Sequence, residues 1–138
     1  MPTPATFDIP QRDDLVQGRT RDWTLDLYQA DGVTPLVISA LDNVRAKLWL
    51  TDAASPAIEA ESLTPGTSFV TVETVGVVNT TPARVTIRWD NSETANLTAG
   101  ALYKWELLLV DQSDGSEPKT ICMGTVLVRG AATGDVSL

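Results

Sequence analysis

The sequence of 138 residues contains no histidine and a single cysteine, Cys122. Without histidine, hydrolase triads lack their usual general base and the common zinc sites lack a main ligand. One cysteine allows no intramolecular disulfide, so the chain is not a disulfide-framed secreted domain. The apolar run around Cys122 predicts a buried thiol rather than a reactive one. We therefore predict that the protein is not an enzyme and has no catalytic residue, metal or cofactor.

Basic side chains and long apolar runs are also scarce. The chain has 10 Lys and Arg against 18 Asp and Glu, which gives a formal net charge of −8 and an estimated pI of about 4.3. Nucleic acids and anionic membranes bind clustered cations, so the sequence predicts neither as a partner. No apolar run has the length of a membrane-spanning helix, and the N-terminus lacks the pattern of a signal peptide. We expect the protein to be made and folded in a reducing cytoplasm.

What the sequence does contain is alternation with a period of two. In Leu102–Val110, the side chains of Tyr103, Trp105, Leu107 and Leu109 share one parity, with charged residues between them. Such alternation is typical of half-buried strands. It recurs along the chain with turn residues about every ten positions, which predicts an all-β domain, an antiparallel β-sandwich of about seven to nine strands.

Smaller predictions follow from the same parity. Trp23, Trp89 and Trp105 share parity with aliphatic neighbours and are expected in the core. Between two predicted strands, Asn91 or Ser92 is expected to cap a single helical turn.

The two termini differ in composition from the rest of the chain. We divide the sequence into an extended, Pro-rich N-terminal arm (residues 1–12), a β-sandwich (residues 13–130) and a C-terminal tail (residues 131–138). Prolines favour extended backbone, so the arm either adds to the sheet edge of a partner or serves as a frayed terminus or first edge strand of its own domain. Its candidate contact residues are Pro4, Phe7 and Ile9.

A second candidate contact lies in residues 44–50. Here Arg45, Lys47 and Trp49 share the outward parity, and Trp49 is the one tryptophan that the pattern places outside the core. Tryptophan and arginine are enriched in interface hot spots, which favours a partner-contact patch. The alternative is that the arm or a loop of the same chain covers this face. Both interpretations stay open at this point.

Four segments, taken in order, resemble a known family. They are Gln17-Gly18-Arg19-Thr20, then Asp31-Gly32-Val33-Thr34-Pro35-Leu36, then Asp42-Asn43-Val44-Arg45, and finally Ala99-Gly100-Ala101-Leu102-Tyr103-Lys104-Trp105. The order is similar to that in the small Ig-like β-sandwich proteins of tailed bacteriophages, a group that includes the N-terminal domains of baseplate upper proteins. The resemblance spans roughly residues 12–130. The sequence departs from the family pattern at Arg19, where an acidic residue is common, and at Ile38-Ser39, which replace Asp-Leu.

The resemblance implies an Ig-like fold and a structural part of the virion. It implies an assembly or attachment module of the tail, baseplate or neck, acting by contacts with other virion proteins, as a homo-oligomer or in several copies per particle. The virion, assembled in the host cytoplasm, is then its location. Capsid decoration is the alternative within this class. From a different class, a glycan-binding sandwich for host adhesion would need exposed aromatic residues.

Overall fold

The computed structural model of the chain describes residues 5–8, 14–29, 31–39, 42–51, 53–63, 66–110 and 119–130, with the backbone alone for residues 5–8. These residues form nine strands and one short helix, α1 (Asn91–Thr94), which confirms the all-β prediction. The strands are β1 (Ala5–Asp8), β2 (Leu15–Val16), β3 (Arg21–Leu27), β4 (Asn43–Leu50), β5 (Ile58–Glu61), β6 (Phe69–Thr74), β7 (Ala83–Trp89), β8 (Leu102–Val110) and β9 (Lys119–Arg129).

The strands follow one hydrogen-bonded path. Its order is β1-β9-β8-β4-β5-β6-β7-β3, and these eight strands nearly close into a barrel. Both β1 and β2 pair with β9 in parallel, whereas most other neighbours are antiparallel. The link between β5 and β6 is the thinnest along the path, because these strands share a single parallel pair, Glu61 opposite Phe69.

The core fills the inner face of this path, and the alternation of the sequence explains its composition. On β4, the side chains of Val44, Ala46 and Leu48 are fully buried. On β8, Tyr103 and Trp105 are buried, as their parity predicts. Successive side chains of a strand point to opposite faces, so the charged residues that alternate with the buried ones on these strands lie on the outer face. The burial of about twenty apolar side chains supplies the main driving force for folding.

Three tryptophans meet in the middle of the core. Trp23, Trp89 and Trp105 are 3%, 0% and 0% exposed, which confirms that they are core residues. The rings of Trp23 and Trp89 lie 5.4 Å apart between centroids at 77°, and those of Trp23 and Trp105 lie 5.5 Å apart at 61°. Edge-to-face contacts at these distances are favourable. Gly124 lies opposite Trp105 on β9 and presents no side chain beside its indole.

The single helical turn forms where it was predicted, but its cap was assigned wrongly. The N-cap is Asp90, not Asn91 or Ser92. The Asp90 backbone is extended, and its carboxylate accepts hydrogen bonds from the Ser92 N–H at 3.0 Å and the Ser92 hydroxyl at 2.6 Å. The Asp90 carboxylate, on the residue that follows β7, satisfies a free N–H of the helix, so the cap lies one residue before the first of the two predicted positions.

Replacing Trp23 with alanine should lower the free energy of unfolding by about 3–5 kcal/mol, because it leaves a cavity between two other buried rings. Urea unfolding followed by far-UV circular dichroism measures the loss. The matched control is Trp49→Ala, outside the core, with an expected loss of about 1 kcal/mol. Equal losses in the two variants would contradict a core built around the Trp23 ring.

Candidate functional site

The three outward residues predicted on residues 44–50 do lie together in space. Arg45, Lys47 and Trp49 occupy alternate positions of β4 and are half-buried on its outer face. Carboxylates and a lysine of the neighbouring strands β5 and β8 surround them. The β4 face is the surface formed by Arg45, Lys47, Trp49, Glu59, Glu61, Lys104 and Glu106.

Strand register sets the charge pairing on the β4 face. Arg45 lies opposite Glu61 and Lys47 lies opposite Glu59 in the antiparallel pairing of β4 with β5. The Arg45 Nε atom is 2.9 Å from Glu61 Oε1, and the Lys47 Nζ atom is 3.8 Å from Glu59 Oε1. Opposite charges directly across a strand pair stabilise it modestly. Both cations that the sequence proposed for partner contact are therefore matched within the chain.

Trp49 has a cation of its own. It lies opposite Lys104 on β8, whose Nζ atom is 5.2 Å from the centre of the Trp49 ring. This distance is within the range of a cation–π contact. The same ammonium is 3.9 Å from Glu106 Oε1. The β4 face thus carries three cations and three carboxylates, and it is formally neutral in a chain of net charge −8.

The candidate residues of the N-terminal arm are only partly covered by the structure. Pro4 and Ile9 lie outside the described residues, as does the C-terminal tail. The Phe7 backbone lies in β1, opposite Gly124 of β9. Residues 5–8 therefore pair with an edge of their own chain, which is one of the two arrangements considered for the arm. The structure does not bring this strand and the β4 face into one site, because β1 and β4 are separated by β9 and β8.

A second charged surface, which sequence reasoning did not single out, lies on the outer face of β3 and β7. The Arg84 Nε atom is 2.7 Å from Asp26 Oδ1, and the Arg88 Nε atom is 2.8 Å from Asp22 Oδ1. Each guanidinium also reaches the second oxygen of its carboxylate. The hydrogen bond from Arg88 lowers the pKa of Asp22, and that from Arg84 lowers the pKa of Asp26. In the sequence, the four residues share the outward parity of their strands, and this pattern could have identified the surface.

Sequence reasoning also missed a groove of about 760 Å³ beside β6. Four consecutive β6 residues, 69–72, line it together with Val75. Leu63 and Asp42 also line it. Consecutive residues of a strand point alternately to its two faces, so a groove that touches all four runs along the edge of the strand. A periodic pattern in the sequence does not predict such a groove, because the position of the groove depends on where β5 and β6 separate.

A hairpin follows Val75, one of the residues that line this groove. Gly76 has a φ of 89°, and a Cβ atom there would lie 2.8 Å from the carbonyl oxygen of Thr81 and 2.9 Å from the nitrogen of Ala83. The Val77 N–H donates to the Thr81 carbonyl at 2.8 Å and closes the turn. Val77 and Val78 are 56% and 68% exposed at its tip. Two exposed apolar side chains therefore lie in the hairpin that begins directly after the groove residue Val75.

The described residues offer little acid–base or metal chemistry. Cys122 is buried, and burial raises its pKa to about 12, so the thiol stays protonated at neutral pH. Within the described ranges, no group of three or more Cys, Asp or Glu side chains is placed to hold a metal ion. None of the helical residues there forms a segment long and apolar enough to cross a membrane.

No protein-family model matches this chain, and no curated protein sequence matches it.

Acidification should weaken the fold through Asp22 and Asp26. Their folded pKa values lie below the ordinary value of 3.8, so the unfolded chain binds more protons in this range and stability falls as the pH drops from about 4 through the folded pKa values. Urea unfolding at pH 5 and pH 3 should show a smaller loss for the double variant Asp22→Asn/Asp26→Asn than for the wild type.

The control for the pH experiment is Thr24→Ala, which lies between the two aspartates on β3 and removes no titrating group. Its stability should fall with pH as steeply as that of the wild type. If the double variant keeps the wild-type pH dependence, then the two arginine contacts do not contribute to acid stability.

Replacing Gly76 with alanine should destabilise the protein more than replacing Gly18. Both glycines have positive φ, which costs an alanine about 1–2 kcal/mol. A Cβ on Gly18 meets no atom within 4 Å, whereas one on Gly76 meets backbone atoms that must move. We expect a further loss of about 1–3 kcal/mol for Gly76→Ala in urea unfolding. Equal losses would mean that the hairpin relaxes without cost.

Proposed function

We propose that this chain is an Ig-like β-sandwich module of a bacteriophage particle that acts through contacts with other virion proteins. Four lines of argument support the proposal. They are the order of the strands, a corner contact at the start of β8, the balanced charge of the β4 face, and the resemblance of the sequence to tailed-phage proteins.

The strand order supports the Ig-like part of the proposal. The path divides at the single pair between β5 and β6 into a layer β1-β9-β8-β4-β5 and a layer β6-β7-β3. Assigning the immunoglobulin letters B, C, C′, D, E, F and G to β3 through β9 in chain order gives layers G-F-C-C′ and D-E-B. These are the neighbours that Ig-like sandwiches have.

A corner contact supports the same fold. Tyr103 lies near the start of β8, and its hydroxyl accepts a hydrogen bond from the Thr98 N–H at 2.8 Å. Ig-like domains carry a tyrosine corner at the start of strand F, two residues before the second cysteine of their inter-sheet disulfide. Here Trp105, two residues after Tyr103, occupies the position of that second cysteine. Its ring contacts the ring of Trp23 on β3. A tryptophan pair thus takes the place of the disulfide in a chain that has one cysteine.

The observation that carries the assembly function is the neutral β4 face. In a chain of net charge −8, a surface with three matched charge pairs avoids the repulsion that a uniformly acidic surface would meet at a second copy or another acidic subunit. Trp49, held beside Lys104, supplies an aromatic side chain of the kind that dominates interface energies. The β4 face is therefore the contact surface in this proposal.

The resemblance to tailed-phage proteins supports placement in the virion, with the tail, baseplate or neck ahead of the capsid surface. Glycan binding is less well supported, because sugar rings stack on exposed aromatic side chains. Trp23, Trp89 and Trp105 are all buried.

The test is to purify particles of the phage that encodes this chain, detect the chain by mass spectrometry and locate it by cryo-electron microscopy. We expect several copies per particle, with the β4 face against a neighbouring subunit. Supplying a Trp49→Ala variant during infection should reduce its incorporation about tenfold, as the loss of one hot-spot side chain does.

The matched control for incorporation is Val33→Ala, which removes a side chain that is 77% exposed in a loop away from β4. It should be incorporated like the wild type. Absence of the chain from purified particles would refute the proposed function. Normal incorporation of Trp49→Ala would refute the role of the β4 face.

A further inference from the structure

The outer edge of β6 is largely without a strand partner in the described part of the chain. On one side β6 pairs with β7 from Phe69 onward, in antiparallel register. On the other side it has the single pair of Phe69 with Glu61. In an antiparallel pair, every second residue directs its peptide N–H and C=O away from the partner strand. The rest of β6 therefore presents main-chain donors and acceptors to the groove, whereas the carbonyl of Val75, just beyond the strand, accepts a hydrogen bond from the Ile38 N–H at 3.0 Å.

The groove has the dimensions and lining of a binding site for an extended peptide. Its volume of about 760 Å³ falls in the range of ligand pockets. A small apolar ligand or a lipid chain would leave the β6 peptide groups without hydrogen-bond partners, at a cost that disfavours it. A polypeptide in extended conformation supplies those partners through its own backbone, as in β-strand addition. The β6 edge therefore favours a ligand that offers its own backbone N–H and C=O groups.

The side chains along the groove indicate which residues that peptide carries. Val70, which is buried, and Val72 lie on the inner side of β6, and Leu63, which is 47% exposed, also lines the groove. These apolar surfaces suit an apolar residue at every second position of an added strand. Among the described residues that line the groove, Asp42 is the one with a charge, so a cation near one end is favoured. A register shift after Val72 limits regular pairing to the first part of β6.

The geometry points to β6 as the acceptor edge for an extended segment of a partner protein, with alternate apolar side chains and a terminal cation. This inference deepens the proposed assembly function and rests on it, because the partner segment would be that of another virion protein. The β6 edge differs from the β4 face in location and in chemistry, because at the β6 edge the main chain is the principal recognition element.

The test uses the full chain labelled with ¹⁵N and the peptide acetyl-Lys-Val-Thr-Val-Thr-Val-Lys-amide, in 150 mM salt (a Debye length of about 8 Å). A lysine at each end places a cation near Asp42 in either strand direction. We expect saturable NMR shift changes at the amides of residues 62–63 and 69–75, with a dissociation constant of about 1 mM or tighter. A peptide with proline in place of both threonines and the central valine, of equal charge, should not bind, because it lacks backbone N–H groups on both edges of the strand.

Two variants with the same substitution locate the site. Leu63→Arg removes an apolar contact and repels the lysines of the peptide, so affinity should fall about tenfold. Leu102→Arg replaces a leucine of similar exposure, 51% against 47%, at the start of β8 and should bind like the wild type. The acceptor-edge proposal is overturned by an absence of shifts up to about 5 mM peptide, by equal binding of the proline peptide, or by equal loss in both variants.

These outcomes separate the two proposals. If the peptide does not bind while the chain is still found in phage particles, then the acceptor edge is wrong and the assembly function stands. If the peptide binds as expected while the chain is absent from particles, then the edge binds partners outside a virion and the proposed function fails.

Discussion

The contact between Trp23 and Trp105 joins strands that are not neighbours in the sheet, and the rest of the structure depends on it. Hydrogen bonds hold β3 to β7 and β8 to β4 and β9, whereas β3, at one end of the path, contacts β8 through the rings of Trp23 and Trp105. A pair of large rings at 5.5 Å fixes the spacing across the core without a covalent link. The buried residues around it then complete a closed interior, which leaves charge and function to the outer faces.

On the β4 face and on the outer face of β3 and β7, cations pair with carboxylates in a chain that has an excess of negative charge. Register places Arg45 and Lys47 opposite glutamates of β5, and it places Arg84 and Arg88 opposite aspartates of β3. Half of the cations of the chain are used in these four pairs and at Lys104. The sheet surfaces are therefore close to neutral while the chain as a whole is acidic. Nearly neutral surfaces and the open edge of β6 suit a protein whose proposed function is docking.

Local pattern predicted local structure well. The alternation around Tyr103 and Trp105 assigned the inner face correctly, because burial on one face of a strand imposes a period of two. The same parity brought Arg45, Lys47 and Trp49 to one outer face. It erred at the helical turn, where several adjacent polar residues are all good caps and the backbone conformation of Asp90 decides among them. It was also silent on the groove, which arises from the separation of two strands.

The sequence alone determined that this chain is all-β, acidic, without a disulfide and without a histidine-based site, since composition and a two-residue period require no knowledge of partners in space. Only the tertiary structure decided that β1 pairs with β9 of the same chain, that Lys104 contacts Trp49, and that β6 keeps an open edge. Each of these depends on strand order and register. Those are properties of contacts between residues far apart in sequence, and a period along one strand does not encode them.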